Sequence, residues 1–211
     1  MALSNEFIDP FQELPTTCIS DAMQGLNNMD PRIKPLKETY RVAGRALTVK
    51  MPVGDNLTVF RAIREANPGD VLVIDAKGDE YRAVAGDFVV GMAQTLGLKG
   101  MIVDGVIRDI EGIKQLGFPV FSRGTAAAAS SKAGVGEINV PVSCGGTAVH
   151  PGDIVVGDAD GVVVVPRALE KTVLKHALEK LNKDKERSEK YLRNSEKLLQ
   201  YLDETLQSGK A

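Results

Sequence analysis

Two short segments carry residue types that could bind and activate a small acid. They are Gly86-Asp87-Phe88-Val89 and Arg108-Asp109, with twenty residues between Asp87 and Arg108. The first reads as the start of a helix, where free backbone N–H groups and the positive dipole end suit an anion. The guanidinium of Arg108 can grip a carboxylate through two parallel hydrogen bonds. Asp109 is a hard oxygen ligand for a cation such as Mg²⁺. An anion cradle, an arginine clamp and a metal carboxylate together predict an enzyme acting on a small keto acid.

These residues need a scaffold to bring them together. GDFVVGMAQTLGLKGMIVDGVIRD, residues 86–109, predicts a helix over 87–98, ended in the Gly97 or Gly100 region, and a buried strand over 101–107. Alone, Arg108-Asp109 reads as a surface ion pair of little energetic weight. Its place after a buried strand, at this distance from a Gly-Asp helix start, selects the catalytic reading. A helix is predicted over 15–26, capped by Thr16 or Thr17. A strand is predicted over 41–51 and a helix over 55–66 with Asp55 near its N-cap. Residues 109–116 read as a helix and 119–124 as a strand, and the Gly-, Ala- and Ser-rich stretch 125–148 reads as a connecting loop with short strands that line a site.

The chain also echoes itself. Pro68-Gly69-Asp70-Val71-Leu72-Val73-Ile74-Asp75 resembles Pro151-Gly152-Asp153-Ile154-Val155-Val156-Gly157-Asp158. Each is a Pro-Gly turn feeding a strand, so both are expected in one sheet system. Residues 161–166, GVVVVP, form a fully apolar strand suited to a buried position rather than an edge. The tail from Ala168 to Leu206 carries one long helical pattern, charged in its second half. Asp104, beside Gly105, reads as a turn residue, as do Asp158 and Asp160.

Composition narrows the function classes. Among 211 residues, 26 Lys and Arg nearly balance 28 Asp and Glu, for a net charge of −2. That balance argues against a nucleic-acid binder. No apolar run is long enough to span a membrane, and the acidic start MALSNEFIDPFQEL lacks the basic region of a secretion signal. Cys18 and Cys144 are read as reduced thiols of a cytoplasmic protein. With only two histidines, a His-rich metal site is not expected.

The Asp87, Arg108, Asp109 set, with DGVIRD (104–109), VHPGDIVVGDADGVVVVP (149–166) and ISDAM (19–23), resembles the 4-hydroxy-4-methyl-2-oxoglutarate aldolase family. That family lies within the superfamily of the regulator of ribonuclease activity A, the RraA-like proteins. The resemblance covers roughly residues 14–168. It implies an α/β fold, a layered swivelling β/β/α domain over 1–167; the helical tail, 168–211, matches the family poorly and reads, from its narrow apolar stripe, as a C-terminal extension at a subunit interface. It implies a homotrimer or a hexamer, and a class II aldolase that uses Mg²⁺ or Mn²⁺ to release pyruvate, with oxaloacetate decarboxylation as a related activity. On that resemblance Arg108 binds substrate, Asp109 holds the metal, and Gly86, Asp87, Phe88 and Val89 receive the pyruvate carboxylate. Asp87 also orients a metal-bound water that shuttles the proton. An acidic residue of a neighbouring subunit, Glu186 or Glu189, completes the site. The alternative is a regulator that binds and inhibits a ribonuclease. It needs no metal carboxylate, and the retained Asp109 argues for chemistry.

Overall fold

A computed structural model describes residues 7–208. Residues 1–6, which open the segment read as lacking a secretion signal, and 209–211, the end of the C-terminal extension, lie outside the described residues. In chain order come α1 (Ile8–Gln12), α2 (Thr16–Ala22), β1 (Lys34–Pro35), β2 (Val42–Lys50), α3 (Leu57–Glu65), β3 (Asp70–Asp79) and β4 (Arg82–Ala83). They are followed by α4 (Asp87–Thr95), β5 (Gly100–Ile107), α5 (Ile110–Leu116) and β6 (Val120–Thr125). Four short strands, β7 (Ala128–Ala129), β8 (Glu137–Ile138), β9 (Val142–Cys144) and β10 (Thr147–Val149), occupy the small-residue stretch. A hairpin of β11 (Ile154–Asp158) and β12 (Gly161–Val165) leads to α6 (Glu170–Tyr191) and α7 (Ser195–Ser208).

The main sheet runs β1-β6-β5-β3-β2-β11-β12, with β8 also paired to β2. Strands β2, β3, β5 and β6 are parallel neighbours. Parallel strands need crossovers, and α3, α4 and α5 lie within them. These helices cover one sheet face and the β9–β10 hairpin the other, so the strands read as apolar runs. One face packs Leu72, Ile74, Met101 and Val103 under Val59 and Ile63 of α3, Val90 of α4 and Ile113 of α5. The other packs Val71, Val73, Ile102 and Phe121 against Ile33, Val142, Cys144 and Val149. A third cluster joins Phe11 and Ile19 to Ile154, Val163 and the α6 residues Val173 and Ala177.

The two echoing segments become β3 and β11, which lie on either side of β2, one parallel and one antiparallel. The expected α/β class and the C-terminal helices are both present. Several local readings change. Helix α2 is shorter than predicted and its N-cap is Pro15. Thr16 instead donates its N–H and its hydroxyl to the Asp158 carboxylate, at 2.9 and 2.6 Å, tying α2 to the β11–β12 turn. Strand β12 ends the hydrogen-bonded path, yet all five of its residues are buried. Its outer edge is covered by the chain at 27–29: Met29 N–H donates to Val162 O and Val164 N–H to Asn27 O. Asp104 is no turn residue. It sits buried in β5, accepts from Arg123, and accepts from the Gly145 N–H at 2.8 Å.

The helical tail is also two helices rather than one. The rings of Tyr191 and Tyr201 lie 4.6 Å apart. Ten residues of continuous helix would separate them by about 15 Å, so the chain must reverse between α6 and α7. The first turns of α6 are anchored by a buried ion pair, in which both Arg45 Nη atoms donate to the Glu170 carboxylate, one of them at 3.1 Å. Among the described residues, no helix is long and apolar enough to cross a membrane. Cys18 and Cys144 are both free and buried.

Candidate active site

The segment 83–86 runs beside the carboxyl end of β5. Val84 N–H donates to Val106 O at 2.9 Å, and Arg108 N–H donates to Ala85 O at 3.0 Å. Those two bonds set the start of α4 against the residues that leave β5. The carboxyl ends of parallel strands are where open α/β sheets place ligands. Gly86, Asp87, Phe88, Val89, Arg108 and Asp109 all line one cavity of about 210 Å³. The six residues predicted from sequence are thus brought together. Arg108 and Asp109 also border a shallower hollow of about 390 Å³ with Ile110, Thr125, Ala126 and Ala127. Glu186 and Glu189 lie exposed on α6 and do not line the cavity of their own chain.

Asp109 sits at the N-cap of α5 with φ 56° and ψ 45°, the left-handed region. For most L-residues that conformation costs roughly 1–2 kcal/mol, and Asp and Asn tolerate it best. Strain of this kind clusters at functional sites. The turn swings the Asp109 carboxylate over the start of α4. A Cβ on Gly86 would overlap Asp109 Oδ2 and stand 3.3 Å from its Cγ, so only glycine leaves the carboxylate its place. Arg108 Nε lies 3.3 Å from Asp109 Oδ2, with both side chains 43% exposed. The other carboxylate oxygen accepts no hydrogen bond among the described residues.

Asp87 begins α4, and its Oδ1 accepts from the Phe88 N–H at 2.6 Å. One of the backbone donors expected to receive a substrate carboxylate is therefore already engaged by Asp87. The remaining first-turn N–H groups have no intrahelical acceptor to use. On its far side Asp87 packs on Gly112 of α5, where a Cβ would stand 2.7 Å from Oδ2. The apolar ring of Phe88 is 73% exposed and opens onto a second, larger groove. That groove, about 870 Å³, is lined by Phe60, Ile63, Met92 and Leu116 among others, and contains neither Arg108 nor Asp109. Asp87 borders both, but only the smaller cavity joins it to Arg108 and Asp109, so we place the site there.

Asn56, Phe60, Ala83, Ala85, Ala129, Ser130 and Lys132 form the rest of the cavity wall. The sequence singles out none of these residues, although Ala129, Ser130 and Lys132 fall in the stretch 125–148 read as a loop with short strands that line a site. Asn56 is the N-cap of α3, and the adjoining Asp55, expected near that cap, accepts from the Leu57 N–H at 3.1 Å. Composition marks the stretch as site-lining but does not say which wall residues 129–132 build. They arrive through the parallel pairing of β7 with β4, a contact between residues 46 apart.

Among the described residues, no group of three or more His, Cys, Asp or Glu side chains could cage a metal. A single half-exposed Asp109 carboxylate with a free oxygen fits an ion that keeps most of its waters, as Mg²⁺ or Mn²⁺ do, and does not fit structural zinc. Cys144 offers no nucleophile: burial, followed by the neighbouring Asp104 charge, pushes its thiol well above the ordinary range.

Comparison with known proteins gives a consistent picture. The RraA-like family profile, described as Aldolase/RraA, matches residues 16–164. A protein of Halalkalibacterium halodurans named "Putative 4-hydroxy-4-methyl-2-oxoglutarate aldolase" is 54% identical over 201 residues, 95% of this chain and 96% of that protein. Among solved structures, Streptomyces coelicolor RraAS2 is titled an unusual member of the RNase ES inhibitor RraA protein family. It matches with a TM-score of 0.78 at 27% identity, over 88% of this chain and 96% of that one. The RNA-processing inhibitor RraA from Thermus thermophilis matches with a TM-score of 0.67 at 29% identity, over 73% of this chain and 93% of that one.

Proposed function

Because the chain belongs to the RraA-like, Aldolase/RraA family, we propose that it is a metal-dependent class II aldolase. It would cleave a 4-hydroxy-2-oxo acid, such as 4-hydroxy-4-methyl-2-oxoglutarate, to pyruvate and a second carbonyl compound. The observation that carries this reading is the convergence of the α4 N-terminus, Arg108 and Asp109 on one small cavity. In the reaction the C3–C4 bond breaks. The C4 hydroxyl gives up its proton and becomes a carbonyl, and the electron pair passes to C3 as the enolate of pyruvate. Protonation at C3 then yields pyruvate.

Asp109 would hold Mg²⁺ or Mn²⁺, which supplies Lewis-acid polarisation of the 2-oxo group. The first turn of α4 receives the substrate carboxylate through backbone N–H groups, aided by the helix dipole. Arg108 stabilises the oxygen on which enolate charge develops. Asp87 stands at the same helix start, where its carboxylate would orient the water that shuttles the proton. Oxaloacetate decarboxylation passes through the same enolate and belongs to the same proposal. So does assembly as a homotrimer or hexamer, with Glu186 or Glu189 of a neighbouring copy reaching the site.

The alternative, a non-catalytic regulator of a ribonuclease, has weaker support. The neighbours with inhibitor titles are 27% and 29% identical, against 54% for the relative named as an aldolase.

The test is pyruvate release from 4-hydroxy-4-methyl-2-oxoglutarate and from oxaloacetate, with Mg²⁺ and with EDTA. Release should require the metal. It should fall at least about a hundredfold in Asp109→Asn with the thermal midpoint unchanged, since asparagine tolerates the left-handed turn. Absence of release with either metal would refute the reading.

A further inference from the structure

Two buried polar atoms in the cavity wall have no partner among the described residues: Asn56 Oδ1 and Ser130 Oγ. Asn56 is only 9% exposed. Its Nδ2 donates to Val84 O at 3.0 Å, which fixes the amide orientation and leaves Oδ1 as an acceptor. Ser130 is held beside it. Its N–H donates to Ala83 O at 3.3 Å, one residue before the Asn56 anchor, and Asn56 N–H donates to Ser131 O at 3.0 Å. Both residues line the cavity that contains Arg108 and Asp109.

A buried acceptor without a donor costs about 1–3 kcal/mol, so such groups are rare without a reason. A ligand that supplies the missing partner recovers that cost, and the fixed wall has little left to order. The chemistry of the pair is selective. A carboxylate or keto oxygen can only accept, and would meet Asn56 Oδ1 lone pair to lone pair. An alcohol can donate to Asn56 Oδ1 and accept from the Ser130 hydroxyl at once.

We infer that Asn56 and Ser130 bind the 4-hydroxyl of the substrate and set the preference for hydroxy-oxo acids over simple oxo diacids. This rests on the keto-acid reading above and adds to it a specificity device on the wall formed by residues 56 and 130. Asn56 is here a positioning residue and not a base.

The experiment compares kcat/KM for 4-hydroxy-4-methyl-2-oxoglutarate and for oxaloacetate, which lacks the hydroxyl, in the wild-type protein, Asn56→Ala and Ser130→Ala. The ratio of the two should fall about tenfold or more in Asn56→Ala and several-fold in Ser130→Ala. Ser130→Ala removes an oxygen with no protein partner, so it keeps the test valid where Asn56→Ala fails to fold. Equal losses on both substrates would mean a purely structural role and overturn the inference. A wild-type protein that releases no pyruvate from either compound sinks the proposed reaction, and calorimetric binding then decides the inference. Preference for 4-hydroxy-4-methyl-2-oxoglutarate over 4-methyl-2-oxoglutarate, reduced in Ser130→Ala, supports it; equal affinities refute it.

Discussion

Gly112→Ala is a sharp test of whether the spacing between α4 and α5 sets the chemistry. Gly112 lies inside α5 and lines no part of the smaller cavity. By propensity alone, alanine in a helix interior should stabilise by roughly 0.5–1 kcal/mol. The structure reverses that expectation. The new Cβ would stand 2.7 Å from Asp87 Oδ2, 2.9 Å from Asp87 Cβ and 3.2 Å from Asp87 Cγ. An ordinary van der Waals contact begins at 3.4 Å, so Oδ2 must retreat by about 0.7 Å and Cβ by about 0.5 Å. The carboxylate can rotate away, but the Asp87 Cβ moves only with the backbone that starts α4. Overpacking costs about 1–3 kcal/mol, which offsets the propensity gain. The thermal midpoint should hold or fall by a few degrees. A 1 Å misplacement in a site can cost about a hundredfold in rate, so a half-ångström shift of the anion cradle should cost about tenfold in kcat/KM. The assay is metal-supported pyruvate release beside a thermal melt. Unchanged kcat/KM with a raised midpoint would refute the claim that α5 positions Asp87.

Two further outcomes follow from ion pairs away from the site. Glu170→Ala leaves Arg45, whose side chain is 6% exposed, without its carboxylate. Breaking such a buried pair costs about 3–5 kcal/mol, and a thermal midpoint lowered by roughly 10 °C is expected. A change under about 2 °C would show that the pair does not anchor α6. Asp30 bonds Arg32 at 2.7 Å and Arg123 at 2.9 Å, and the Arg32 guanidinium, foremost, holds its carboxyl well below the usual range. Its folded pKa is depressed, so its contribution is complete above about pH 4 and is lost as pH falls below that. Asp30→Asn should therefore flatten the stability profile between about pH 4 and pH 2; an unchanged acid slope in denaturant titrations would count against the pairing.

The sequence by itself determined the local parts of this protein. Asp87, Arg108 and Asp109 are close in sequence, and the helix and strand between them follow from apolar spacing and glycine stops. A helix start and a strand end joined by one crossover must lie near each other, so the pairing of the two segments was legible. The Pro-Gly echo likewise announced β3 and β11, because a turn feeding a β-branched run depends on neighbours within a few residues.

Only the tertiary structure decided the rest. Whether β12 is an edge depends on where residues 27–29 run, and its composition cannot say. The charged tail keeps helical periodicity through 192–194, and the reversal there shows only in the structure, in the end of α6 at Tyr191 and the Tyr191–Tyr201 contact. The opposite wall of the site comes from Asn56 and Ser130, brought in by long-range pairing that leaves no local pattern. An unpaired buried oxygen is invisible in sequence for the same reason: satisfaction is a property of the neighbours that folding supplies, and not of the residue.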